Sequence, residues 1–152
     1  YSPSTVMLVI TAAPPLTGYN LWAQSITNEA LRGYDADADG DGYANLLEYS
    51  QGTDPTNEAD RARVLLVKTG TVYALKFNYV TSAVDLVYHV EASYALTNDT
   101  AWEGIKSNYL GQGWTGDTTV TWTNEGPVLQ IFAEDNDPFT SHRGMRLRVE
   151  RP

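Results

Sequence analysis

The residue pattern predicts a mainly β fold: an antiparallel β-sandwich, of jelly-roll or Ig-like type, with about seven strands, an N-terminal arm strand and one small helical segment. Three observations lead there. Residues 61–152 alternate apolar and polar side chains with period two and are broken by turn residues, the signature of half-buried strands. Ten tyrosines and four tryptophans stand against three phenylalanines, among many threonines, a composition that suits pleated surfaces. Helical spacing is confined to a short stretch near the amino-terminal third, too small to hold a core alone.

The totals set bounds on function. A chain of 152 residues, 42% apolar and 19% charged, is globular in composition and suits one domain with a proper core. Ten basic against nineteen acidic residues give a formal charge of −9. Such a surface repels phosphate backbones and anionic lipid and attracts divalent cations, so no nucleic acid partner and no membrane insertion is expected. There is no cysteine, which removes disulfides, thiol chemistry and zinc–thiolate sites together. No apolar run reaches the roughly 18 residues that span a bilayer. The opening Tyr-Ser-Pro-Ser carries no signal-peptide pattern, so any export signal is expected to have been removed already.

Taken in order, residues 1–17 read as an extended arm. Thr5 to Thr11 is T-V-M-L-V-I-T, with Val6, Leu8 and Ile10 on one side and Met7 and Val9 on the other. A strand apolar on both faces has to be buried on both, or inserted between elements. Pro14-Pro15 then stiffens the exit. The arm is an ordinary first strand, the last strand of an upstream domain, or a donor strand that pairs with another copy and so builds a homopolymer.

Residues 18–56 change character. Tyr19, Trp22, Ile26, Ala30 and Leu31 give broken helical spacing, and Trp22 is expected to pin this segment to the sandwich. A short helix is predicted over Ala44–Ser50, ended by Gly52 and followed by Pro55. Between them lies D-A-D-G-D-G-Y-A-N-L-L-E, Asp37 to Glu48. Calcium takes six to eight hard oxygen ligands, and one compact loop supplies them from positions 1, 3, 5, 7, 9 and 12. Here these are Asp37, Asp39, Asp41, the Tyr43 carbonyl, Asn45 and Glu48, with Gly42 at position 6 where the chain must turn sharply. A frame beginning at Asp35 puts Leu46 at position 12, and leucine cannot ligate a cation, so the later frame is preferred. The plainer alternative is a solvated acidic turn, but three unpaired aspartates at alternate positions repel one another in a tight turn without a cation. Ca2+ is therefore the expected cofactor.

The loop resembles the calcium loops of dockerin and thrombospondin type 3 repeats. More specifically, W-A-Q (Trp22 to Gln24), the run from Asp37 to Tyr49 and G-T-D-P (Gly52 to Pro55) resemble a module common at the carboxyl end of large secreted bacterial proteins. In that module a β-rich segment follows with a Y-x-V-E-A-S strand; here it is Tyr88 to Ser93, with Trp102 downstream. The resemblance implies an extracellular or cell-surface bacterial setting and a calcium-stabilised accessory role. One loop rather than a tandem pair departs from dockerin and weighs against cohesin binding.

Residues 57–152 are expected to form the sandwich. Val64–Lys68 and Val72–Val80 are candidate strands, the second with Tyr73, Leu75, Phe77 and Tyr79 inward. Leu86–Tyr94 is a third, with Leu86, Tyr88, Val90, Ala92 and Tyr94 inward and His89, Glu91 and Ser93 outward. Trp102–Ile105 is a short fourth, Thr118–Thr123 and Val128–Glu134 form a hairpin, and Met145–Arg151 closes the chain with Arg146 and Arg148 outward. Trp122 is assigned to the core. Trp114, in a glycine-rich loop, is either a sugar-stacking contact for a polysaccharide or an anchor over one end of the core. Glu134 to Pro138 is an acidic turn, more simply solvated than a second cation site. His89 reads as a surface residue and His142 as a loop residue; no nucleophile elbow accompanies either, and no catalytic site is expected. Asn98-Asp99-Thr100 matches a glycosylation acceptor, a pattern frequent by chance. Two readings of function follow: a self-assembling structural subunit, or a carbohydrate-binding or spacer module of a larger secreted enzyme.

Overall fold

In a computed structural model, which describes residues 18–123, 125–136 and 143–152, eight strands form two antiparallel four-stranded sheets. The strands are β1 (Leu65–Thr69), β2 (Val72–Val80), β3 (Val87–Ser93), β4 (Glu103–Tyr109), β5 (Trp114–Thr115), β6 (Val120–Trp122), β7 (Val128–Asp135) and β8 (Gly144–Glu150). One sheet has the order β1-β2-β7-β6 and the other β5-β4-β3-β8. The expected arm, Val6, Met7, Leu8, Val9 and Ile10, its Pro14-Pro15 exit, His142 and the Asp137-Pro138 end of the acidic turn lie outside the described residues. No helix among the described residues is long and apolar enough to cross a membrane.

The core lies between the sheets, where period-two alternation delivers one side chain in two. Leu75, Phe77 and Tyr79 of β2 share it with Tyr88, Val90 and Ala92 of β3 and with Ile131 and Ala133 of β7. Directly paired residues point to the same face, and the registers Leu75↔Ala133 and Phe77↔Ile131 put these apolar pairs together.

Four side chains depart from the expected pattern, because of where strands end and which strands pair. Tyr94 is 54% exposed because β3 ends at Ser93 and the chain turns outward. Glu91 and Ser93 are buried rather than outward: β8 pairs alongside β3, and Arg146 and Arg148 fold over Glu91. Trp122 is 59% exposed although its register with Ile131 sets it on the inner face, because β6 is a three-residue strand at the sheet edge with no further strand beyond it among the described residues. The eighth strand, β5, is two residues long and pairs with Ser107 and Asn108 of β4.

Helix α1 (Tyr19–Trp22) runs into a 3₁₀ turn, and helix α2 (Asn45–Gln51) ends at Gly52, whose φ of 73° is the left-handed conformation that closes a helix. This helical segment docks on the sandwich and shares its core through Tyr19, Ala23, Ile26 and Tyr49. Trp22 packs on Tyr19 and Tyr49, with ring centroids 5.4 and 5.5 Å away. Polar ties fix the orientation. Tyr88 donates its hydroxyl to the Ser50 carbonyl at 2.9 Å, and Asp85 accepts from the Tyr49 hydroxyl at 2.8 Å and the Tyr19 N–H at 3.0 Å. The segment that carries the acidic loop is thus seated on the sandwich by buried aromatics.

Candidate metal centre

The loop from Asp37 to Glu48 is built by its own carboxylates. Asp37 accepts from the N–H groups of Gly40 and Gly42 at 2.8 and 2.9 Å, through one oxygen each. Asp39 Oδ1 takes the Asp41 N–H at 3.1 Å, and Asp41 Oδ1 takes the Tyr43 N–H at 2.8 Å. These local bonds are what aspartate offers a turning backbone. Gly40 and Gly42 supply the φ values of 81° and 94° that the two sharp corners need. Entry and exit are laced by Asn45 N–H to the Ala36 carbonyl, 2.7 Å, and Leu46 N–H to the Tyr34 carbonyl, 3.0 Å.

One carboxylate oxygen each from Asp37, Asp39 and Asp41 lies within 4.8 Å of the others. Glu48, fully buried on α2, is not part of that group, but the charges of Asp39, Asp41 and Asp37 act on its carboxyl. Its Oε1 accepts from the Thr53 hydroxyl at 3.2 Å, while Oε2 is buried with no hydrogen-bond partner. Asp39 Oδ2, Asp41 Oδ2 and Asn45 Oδ1 are in the same condition. Asn45 commits its amide nitrogen to the carbonyls of Leu31 and Gly33, at 2.7 and 2.9 Å, so Oδ1 is the only ligand atom its side chain has left. Four of the seven buried unpartnered side-chain polar atoms among the described residues therefore belong to this one loop, and all four are oxygens. A buried acceptor without a donor costs about 1–3 kcal/mol, more when charged.

The electrostatics point the same way. Burial, then the charge of Asp39, and further those of Asp41 and Asp37, push the Glu48 carboxyl up from 4.5 to about 7, against the lowering effect of the Thr53 hydroxyl. Burial first, with Asp41 and Asp37 behind it, also raises Asp39. The residues suit a hard divalent cation: clustered oxygens, net negative charge and donors absent where a cation would sit. Asp35, first residue of the rejected frame, is exposed, and Leu46 packs against the core. Thr53 was not among the expected residues, although it lies in the G-T-D-P run five places after Glu48.

The other candidates find different surroundings. Trp114 is half-buried, its ring 5.9, 5.6 and 6.1 Å from those of Phe77, Tyr79 and Tyr88, so it packs as the core anchor of the two readings above rather than as an open stacking platform. Asp135 of the acidic turn is ion-paired with Arg143 at 2.5 Å. His89 Nε2 meets Glu150 Oε1 at 3.0 Å. Asn98 Oδ1 caps a 3₁₀ turn by accepting from the Thr100 N–H at 3.1 Å.

No protein-family model, curated protein or solved structure matches the chain.

Proposed function

We propose that this chain is a non-catalytic, calcium-binding structural module of an extracellular or cell-surface setting. The observation that carries the reading is the buried Glu48 Oε2, unpartnered and acted on by the charges of three aspartates whose ligand atoms lie within 4.8 Å of one another. Asp37, Asp39, Asp41 and Glu48 are the carboxylate ligands, with the Tyr43 carbonyl and Asn45 Oδ1 completing the set. Calcium neutralises the loop and pins α2, and through it the helical segment, to the sandwich. The buried carboxylates support a structural rather than a catalytic role: Glu48 faces the loop, and Glu91 is engaged by Arg146 at 2.7 Å and Arg148 at 2.9 Å. Isothermal titration of the chelator-treated protein tests the metal. One calcium bound per chain, lost in Glu48→Gln, is expected; no heat at millimolar calcium refutes the reading.

Assembly into a fibre or surface layer belongs to the same proposal, through residues 5–11 donated to a neighbouring copy. What favours it is that, among the described residues, no strand pairs with the outer edge of either sheet, and that edge strand β1 exposes Leu65 and Leu66 at 47% and 51%. Removing residues 1–12 is expected to leave a soluble monomer where the full chain polymerises, as read by light scattering and electron microscopy. An unchanged oligomeric state rejects strand donation and leaves the metal reading standing.

A further inference from the structure

A second feature lies on the outer face of the β1-β2-β7-β6 sheet, with Thr53, the hydrogen-bond partner of Glu48, at its edge. A cleft of about 330 Å³ runs between the connector before β1 and the strands themselves, lined by Arg61 and Arg63 on one side and by Lys76, Asn78 and Gln130 on the floor. That volume is at the lower end of small-ligand sites, about 300–1,000 Å³.

The cations there are distinctive because of what the others do. Of ten Lys and Arg residues, Arg32, Arg143, Arg146, Arg148 and Arg151 each form an ion pair with an acid. Lys106 Nζ donates to the carbonyls of Gly116 and Thr118. Four cations remain without an ion pair among the described residues: Arg61, Arg63, Lys68 and Lys76. Three of these four line the one cleft. In a chain of charge −9, that is a local positive site against an acidic background. The single acid on its rim, Asp60, accepts from the Asp54 N–H at 3.2 Å.

The cleft is also held in shape from below. Gln51, buried at the end of α2, accepts at Oε1 from the N–H groups of Arg63 and Asn78, at 3.2 and 3.4 Å, and so ties the connector to the sheet. Arg61 is steadied by Nε donating to the Glu58 carbonyl at 2.9 Å, which leaves the terminal nitrogens of its guanidinium for a ligand. Lys76 Nζ rests 5.5 Å from the Phe132 ring centre.

We infer that this cleft binds an anionic oligosaccharide, one whose rings carry carboxylate or sulfate groups. Guanidinium forks match a carboxylate or sulfate edge with two parallel hydrogen bonds. The planar amide of Asn78 offers donors and an acceptor to ring hydroxyls. Leu65, 47% exposed beside them, offers an apolar patch to the C–H face of a sugar ring. The site does not use Trp114, and its binding side chains are distinct from the proposed calcium ligands, although Thr53 and Gln51 tie it to the helix that carries Glu48.

Calorimetric titration of the whole calcium-loaded chain tests it at low salt. The probes are oligogalacturonate, a sulfated oligosaccharide, a neutral cello-oligosaccharide of equal length and a polyglutamate peptide. Binding of an acidic sugar, weakening as salt rises, with no binding of the neutral one, is expected. Arg61→Gln, Arg63→Gln and Lys76→Gln should each weaken it several-fold and together abolish it, with the melting temperature and calcium titration unchanged. Should the triple variant fold poorly, the single changes at exposed Arg61 and Arg63 decide the matter. The inference is overturned if no acidic sugar binds, if polyglutamate binds as tightly as the sugars, or if these variants bind like the native chain, which would indicate bridging by calcium.

Discussion

Removing calcium should turn Glu48 into the main pH-dependent liability of the fold between about pH 4.5 and 7. The carboxyl is fully buried and its folded value is about 7, against an ordinary 4.5. A raised value means that the folded state holds the proton more tightly than the unfolded one. Its contribution is therefore fully present below 4.5 and is lost as pH rises toward 7. At about 1.4 kcal/mol for each pH unit of displacement, the loss is about 3 kcal/mol across that window. Urea denaturation of the chelated protein, at half-unit steps from pH 4.5 to 8, should show stability falling by that order while the m-value stays constant. Glu91 and Glu150 are both displaced downward and act below the window: burial alone would raise Glu91, but hydrogen bonds from Arg148 and Arg146 overcome it, while the His89 hydrogen bond leads for Glu150. Saturating calcium should abolish the decline, because the cation requires the ionised carboxylate; at pH 6 its uptake should release a proton, seen as a buffer-dependent heat. At a hundred times its dissociation constant the metal adds about 2.7 kcal/mol. In Glu48→Gln the calcium gain should vanish and most of the slope with it, the raised Asp39 accounting for what remains. Stability that is flat or rising from pH 4.5 to 7 in the chelated native protein would refute the reasoning.

Two other changes probe the fold. Glu91→Ala removes the buried partner of two guanidinium groups; because Arg146 and Arg148 are 34% and 41% exposed and keep Asp99 and Glu150, the loss should be about 1–3 kcal/mol, below the range for a fully buried pair, and is read as a shift of the urea midpoint. Trp114→Ala should cost about 3 kcal/mol by emptying the aromatic cluster, whereas Trp122→Thr, at an open edge, should change the thermal midpoint little and improve solubility.

Local signals carried most of what the sequence made legible. Alternation gave β2 its full extent, Val72–Val80, and the glycine after α2 marked its end, because both depend only on neighbours within a few residues. The turns at Asp37, Asp39 and Asp41 followed from spacing for the same reason. What sequence could not convey was which strands lie at the edge. Trp122 and Tyr94 alternate as core residues do, yet stand in solvent; Glu91 alternates as a surface residue does, yet lies under two arginines from a strand more than fifty positions away. Strand β5 is too short for any periodicity to register. At the loop, ligand spacing was readable, while the ties of Asn45 to Leu31 and Gly33 and of Glu48 to Thr53 depend on how the chain closes on itself. The cleft on the outer sheet joins residues from four separate stretches, and no linear pattern reports such a meeting.

Helix α2 has seven residues, with Glu48 and Gln51 one turn apart. So short a rod has no joint within it. Whatever steadies its acidic side steadies the amide that clasps Arg63 and Asn78, and whatever loosens the first lets the second drift. Two functional surfaces thereby share a single axle.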